Sequence, residues 1–169
     1  FQISNYEKHR EVYKKITEYA ADASIEDTYY MIMEDDILVS KNYIENIDEM
    51  LKDIKKPENN TWDILFTSLN TINNSKDNFV YYNTVYNKLI SKACYFIKPP
   101  TCAKLYDEMK TFKLGLKFLL SKYIKDHSQS SKTDSSSSFT PMFYNKNTFV
   151  EGSKYGIYPS TVNPNNFLY

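Results

Sequence analysis

The sequence predicts an α/β fold, with a sheet of short strands flanked by helices. Two observations predict it. Short unbroken apolar runs alternate with longer segments whose apolar residues recur at helical spacing. Pro, Gly and Asn clusters separate the two kinds of segment. A chain of 169 residues can bury one core of its own, so residues 1–169 are read as a single domain.

Ser4 followed three residues later by Glu7 reads as a capping box, opening a helix that runs to about residue 23. Val12, Ile16, Tyr19 and Ala20 give that helix an apolar face, and Lys8, Arg10, Lys14 and Lys15 mark the opposite one. Residues 29–33 are apolar without interruption and read as a buried strand of a parallel sheet. Glu34-Asp35-Asp36 follows at once, and Ile37-Leu38-Val39 resumes the apolar character. Ser40 is expected to cap a second helix with Tyr43, Ile44, Ile47, Leu51 and Ile54 along one face. Pro57 and the following Asn pair end it.

Residues 62–67 read as a second strand and 70–88 as an Asn-rich surface loop with a short strand at 79–82. Residues 93–97 read as a third strand. Pro is tolerated in a first helical turn, so Pro99-Pro100 is expected to lead into a helix over 101–112. A further apolar helix is expected over 114–124. Residues 126–138 are Ser-rich with almost nothing to bury and are expected to be mobile. A last strand is expected over 148–151, with Gly152 and Gly156 punctuating the tail.

Lys plus Arg and Asp plus Glu are both 21, so the formal charge is zero, which argues against a nucleic-acid partner. No stretch is long and apolar enough to span a bilayer, and no targeting segment is visible. Cys94 and Cys102 have no metal-knuckle spacing and read as buried free thiols. The 16 Tyr and 10 Phe can stack on sugars, but they fill cores just as well.

The acidic triplet is the chemical signal. Three adjacent carboxylates at the end of a strand repel one another, and a divalent cation relieves that cost. Mg²⁺ and Mn²⁺ take oxygen ligands, typically one or two carboxylates plus substrate phosphates. In an extended chain alternate residues point the same way, so Glu34 and Asp36 are expected to face one cation while Asp35 meets a ribose or sugar hydroxyl. The competing reading is a solvated acidic turn. In open α/β sheets ligands bind beyond the carboxyl ends of strands, where the triplet stands.

His9 with Val12-Tyr13-Lys14-Lys15-Ile16, then residues 30–38 with their Glu34-Asp35-Asp36, resemble glycosyltransferase family 25. So do Trp62-Asp63-Ile64-Leu65, and Ala93-Cys94-Tyr95-Phe96-Ile97 followed by Ala103-Lys104-Leu105. Each motif is short; their order and spacing over residues 4–110 carry the resemblance. The segment from Phe149 to Lys154 is similar to tails of such enzymes in large DNA viruses. The resemblance implies a GT-A type mixed sheet with flanking helices, Mn²⁺ or Mg²⁺, and a UDP-sugar donor such as UDP-galactose or UDP-glucose. It implies transfer with inversion to a glycan, lipopolysaccharide or hydroxylysine-type acceptor. Metal contacts carry over to Glu34 and Asp36, and a donor contact to Asp35. A GT-A fold opens with a strand and loop that hold the base, whereas this chain opens on the helix bearing His9; the first unit is expected to be absent from the chain or lost.

The remaining candidates carry two readings each. Inversion needs a base, and Glu151, after an apolar run and before Gly152, is the favoured one; Asp134 is a second. His9 is expected to contact a phosphate or to order the acidic site. Lys154 is a candidate for the diphosphate. Asp63 is expected to have a structural role at its strand start. The alternative function is a non-catalytic carbohydrate-binding or scaffolding relative. A phosphotransfer enzyme ranks below both, because the chain has no Walker-type glycine loop and only 3 Gly.

Overall fold

A computed structural model describes residues 2–22, 28–67, 79–81, 93–111, 139–146 and 148–152, with Leu116, Leu119 and Leu120. The elements bounded among these residues are the helices α1 (Gln2–Asp22), α2 (Tyr43–Asp53) and α3 (Pro99–Thr111), a 3-10 turn (Pro57–Asn59) and a set of short strands. The strands are β1 (Tyr30–Met33), β2 (Ile37–Val39), β3 (Ile64–Phe66), β4 (Phe79–Tyr81), β5 (Cys94–Ile97), β6 (Pro141–Tyr144) and β7 (Phe149–Glu151). The main sheet has the order β1-β5-β3-β6-β4, and β2 pairs with β7 in a separate ribbon. The fold is therefore mixed α/β.

Among the described residues β3 and β6 pair in parallel, and β1–β5, β3–β5 and β4–β6 are antiparallel. It follows that β1, β3 and β6 run in one direction, with β5 and β4 against them. The carboxyl ends of β1, β3 and β6 thus lie along one edge of the sheet.

The register sorts side chains between two layers. Ile32, Tyr95, Ile97, Ile64, Phe66 and Phe143 share one face and pack with Tyr6, Tyr13 and Ile16 of α1 and Leu105 and Met109 of α3. Leu65, Phe96, Met142 and Tyr144 share the other face and pack with Met50 and Ile54 at α2 and with Trp62. Two side-chain bonds pin these layers. The Tyr6 hydroxyl donates to the Met109 carbonyl (2.7 Å), joining α1 to α3, and the Tyr144 hydroxyl donates to the Asn46 carbonyl (3.0 Å), joining α2 to β6.

Four expectations are corrected. First, residues 29–33 are not a buried parallel strand. β1 ends the strand order and is antiparallel to β5, with Met31 and Met33 42% and 49% exposed. The layer built on α2 takes in Tyr29 but leaves Met31 and Met33 exposed, so the unbroken apolar run is covered on that face only at its start. Second, Ser4 lies inside α1, so it is no cap, and Glu7 pairs with Arg10 at 2.9 Å. The buried face of α1 is Tyr6, His9, Tyr13 and Ile16, rotated from the expected one, and Tyr19 is exposed. Third, Asn42 precedes α2 with no side-chain cap, and the Ser40 Oγ is buried with no partner among the described residues. Tyr43 and Ile44 face outward, while Met50 and Ile54 are buried. Fourth, β2 and β6 were not expected as strands.

The strands expected over 62–67, 79–82, 93–97 and 148–151 correspond to β3, β4, β5 and β7, and α3 begins with both prolines in its first turn. Leu116, Leu119 and Leu120 are helical and buried, as the 114–124 reading expects. The mobile segment expected over 126–138, and with it Asp134, lies outside the described residues.

Asp63 joins three strands at their mouths. Its Oδ2 accepts from the Thr140 N–H (2.7 Å), its N–H donates to the Thr140 carbonyl (2.8 Å), and its carbonyl accepts from the Lys98 N–H (3.2 Å). The first of these is a charge-assisted bond, worth about 1.5–3 kcal/mol. Asp63→Ala is therefore expected to lower the unfolding free energy by about 2 kcal/mol in urea titration; an unchanged midpoint would contradict the clamp.

Candidate functional site

The acidic triplet stands at the carboxyl edge shared by β1, β3 and β6. Glu34 prolongs β1 by one residue, its N–H donating to the Ala93 carbonyl at 2.8 Å. Strand alternation puts it on the same face as Ile32, toward α1. There the Glu34 Oε1 lies 3.5 Å from the His9 Nε2, with side chains only 11% and 6% exposed. Asp35 and Asp36 then form a turn, Asp35 exposed and Asp36 half-buried. Alternation of an extended chain does not hold past Glu34, so the expectation that Glu34 and Asp36 share one direction by strand geometry is corrected.

The other end of the His9 ring is also engaged. Its Nδ1 lies 2.9 Å from the Tyr95 hydroxyl, which lies 2.7 Å from the Tyr13 hydroxyl. His9 and Tyr13 are one helical turn apart on α1, and Tyr95 sits opposite Ile32 in the β1–β5 register. Both tyrosines are fully buried. The His9 ring stacks on Tyr95 at 6.1 Å and 15°. Burial pushes both phenols up, Tyr95 well above its usual range, and the nearby Glu34 carboxylate adds to the push on Tyr95. Both therefore stay neutral hydroxyls in the native protein at ordinary pH.

The ribbon holds the turn from the other side. Ile37 pairs with Glu151, Leu38 with Val150 and Val39 with Phe149. The Gly152 N–H donates to the Asp36 carbonyl at 2.6 Å, closing the ribbon against the acidic turn. At the far end Ser40 N–H donates to Thr148 O (3.0 Å) and Thr148 N–H to Thr67 O (3.5 Å). The Thr67 Oγ1 donates to the Cys94 carbonyl at 2.7 Å. Thr67 and Thr148 are buried, so this run of bonds anchors the ribbon to β3 and β5.

Of the candidates read from the sequence, the structure brings together His9, Glu34, Asp35, Asp36 and the backbone of Glu151. His9 is 5% exposed between two partners, a placement that favours ordering of the acidic turn over contact with a phosphate. Lys154 lies outside the described residues. Tyr95 and Tyr13 had no role assigned to them; the spacing of His9 and Tyr13, four apart, was the available signal.

Among the described residues no group of three or more His, Cys, Asp and Glu side chains comes together as a metal cage. Consecutive turn carboxylates are hard oxygen donors, and Mg²⁺ or Mn²⁺ completes its shell with water and substrate phosphates. No helix among the described residues is long and apolar enough to cross a membrane. A scan against protein-family models found no match to this chain, and a search of curated proteins likewise found none.

Cys94 and Cys102 are free and buried, and burial pushes each thiol up to about 12. Tyr13, Tyr95 and Tyr144 are raised for the same reason. A raised native pKa means that the unfolded chain loses these protons first as pH rises. Stability is therefore intact below the unfolded values and falls progressively once pH passes about 9, the thiols' ordinary range. Following tyrosinate absorbance and circular dichroism together is expected to show a buried fraction that ionises only as the fold is lost. Complete tyrosine titration in the folded protein would contradict the burial of the pair.

Proposed function

We propose that this chain is the catalytic domain of a metal-dependent glycosyltransferase of GT-A type, similar to family 25. It moves a hexose from a UDP-sugar, UDP-galactose or UDP-glucose, to a glycan, lipopolysaccharide or hydroxylysine-type acceptor with inversion. The observation that carries the reading is the acidic turn at the carboxyl edge of β1, β3 and β6, held by His9 on one side and by Gly152 on the other. Ligands of open α/β sheets collect at that edge.

In this reading Glu34, Asp35 and Asp36 hold the cation and the donor between them. A bound Mn²⁺ or Mg²⁺ supplies charge neutralisation for the departing diphosphate. His9 keeps the Glu34 carboxylate in place, as hydrogen-bonded partners of ligating carboxylates do. The backbone pairing of Glu151 with Ile37 brings the favoured base into the neighbourhood of the turn. Glu151 then takes the proton of the acceptor hydroxyl. Lys154, three residues further along, meets the diphosphate.

The test is release of UDP from UDP-galactose and UDP-glucose in the presence of Mn²⁺ and an acceptor panel. Asp36→Ala is expected to abolish release together with Mn²⁺ uptake. Glu151→Gln is expected to lower kcat by roughly 10²–10⁴-fold while Mn²⁺ uptake persists. Wild-type protein that retains glycans without Mn²⁺ and releases no UDP would instead establish the carbohydrate-binding alternative.

A further inference from the structure

We infer that Tyr95 and Tyr13 are positioning residues, which set the tautomer of His9 so that its Nε2–H faces Glu34. The inference deepens the proposed cation site and rests on it for its consequence, but not for its geometry.

A neutral imidazole carries one N–H and one bare nitrogen, and which is which depends on the partners. His9 has an acceptor on one side and a hydroxyl on the other. The Glu34 Oε1 lies 3.5 Å from Nε2, and an ionised carboxylate can only accept. The Tyr95 hydroxyl lies 2.9 Å from Nδ1 and can do either. The Glu34 carboxylate decides the Nε2 side, and Tyr13 supports the matching role for Tyr95. The Tyr13 hydroxyl lies 2.7 Å from that of Tyr95 and can donate to it, freeing the Tyr95 proton for Nδ1. The chain of donors then runs Tyr13 to Tyr95 to His9 Nδ1, and the His9 Nε2–H is turned toward Glu34 across a 3.5 Å contact.

The opposite tautomer would place the bare Nε2 beside a carboxylate, two acceptors face to face in a nearly closed space. The space is nearly closed: His9 is 5% exposed, and both tyrosines are 0% exposed. Leaving a buried polar group unsatisfied in this way is enough to hold the favoured tautomer at about five-fold excess or more. The two tyrosines reach this point from separate elements, Tyr13 from α1 and Tyr95 from β5. Their separation from each other is 82 residues, so the arrangement is made by the tertiary fold alone.

The chain has 2 His, so ¹⁵N spectra of the imidazoles are readily assigned with a His127→Gln variant as reference. At pH 8, wild-type protein is expected to show His9 as the single Nε2–H tautomer. Tyr95→Phe, which removes the donor to Nδ1, is expected to give a tautomer mixture. Tyr13→Phe is expected to give a smaller shift in the same direction, and decides the matter if Tyr95→Phe does not fold. A proton on Nδ1 in wild-type protein, an imidazolium, or wild-type spectra in both variants would overturn the inference. Mn²⁺ titration reads the consequence: Tyr95→Phe, which acts on Glu34 through its outer partner His9, is expected to weaken uptake by about 10-fold. Unchanged uptake despite a changed tautomer would overturn the positioning role. Wild-type protein that takes up no Mn²⁺ while its tautomer follows the tyrosines would sink the proposed function and leave the hydrogen-bond assignment standing.

Discussion

Tyr95 is fully buried on β5, on the face covered by α1, and its hydroxyl has to be satisfied there. It finds His9 and Tyr13, both on α1 and one helical turn apart. That demand fixes the rotation of α1 against the sheet. A helix rotated to bury Tyr19 instead would leave the Tyr95 hydroxyl without partners, at about 1–3 kcal/mol each for the groups orphaned. Against a total stability of about 5–15 kcal/mol for a domain, such a penalty decides between packings.

The same buried column passes the constraint on to the surface. Glu34 is the first residue past β1 and the last on the alternation that points at α1, so it meets His9 from outside the core. Asp35 and Asp36 are left to the turn, where the Gly152 N–H holds the Asp36 carbonyl and the β2–β7 ribbon carries the weight. The ribbon is in turn fastened to the main sheet through buried Thr67 and Thr148. The acidic turn is thus held by polar contacts at both of its ends.

Much of the architecture was legible as local pattern. Short apolar runs located β3, β4, β5 and β7, and Pro99-Pro100 marked the start of α3, because these signals depend on the residue's own conformational limits. The class of sheet was not legible. Five unbroken apolar residues at 29–33 look alike whether covered on two faces or one, and only the reach of α2 decides which. β6 escaped notice because it opens on Pro141, yet proline at the first position of a strand costs no ladder bond there. β2 was too short to read alone and exists by pairing with β7. At the site, the triplet was visible as charge and His9 as a candidate that orders it. Tyr95 was invisible as a polar partner, because a tyrosine in an apolar strand reads as core until its neighbour across 82 or 86 residues is known.

The central claim is that the acidic turn presents its carboxylates to a cation that carries a nucleotide diphosphate. Calorimetric titration of UDP into the wild-type protein, with and without Mn²⁺, tests it most directly. The account predicts heat of binding only when Mn²⁺ is present, and none in either condition for Asp36→Ala. Equal binding with and without the metal, or binding that survives Asp36→Ala, would contradict it.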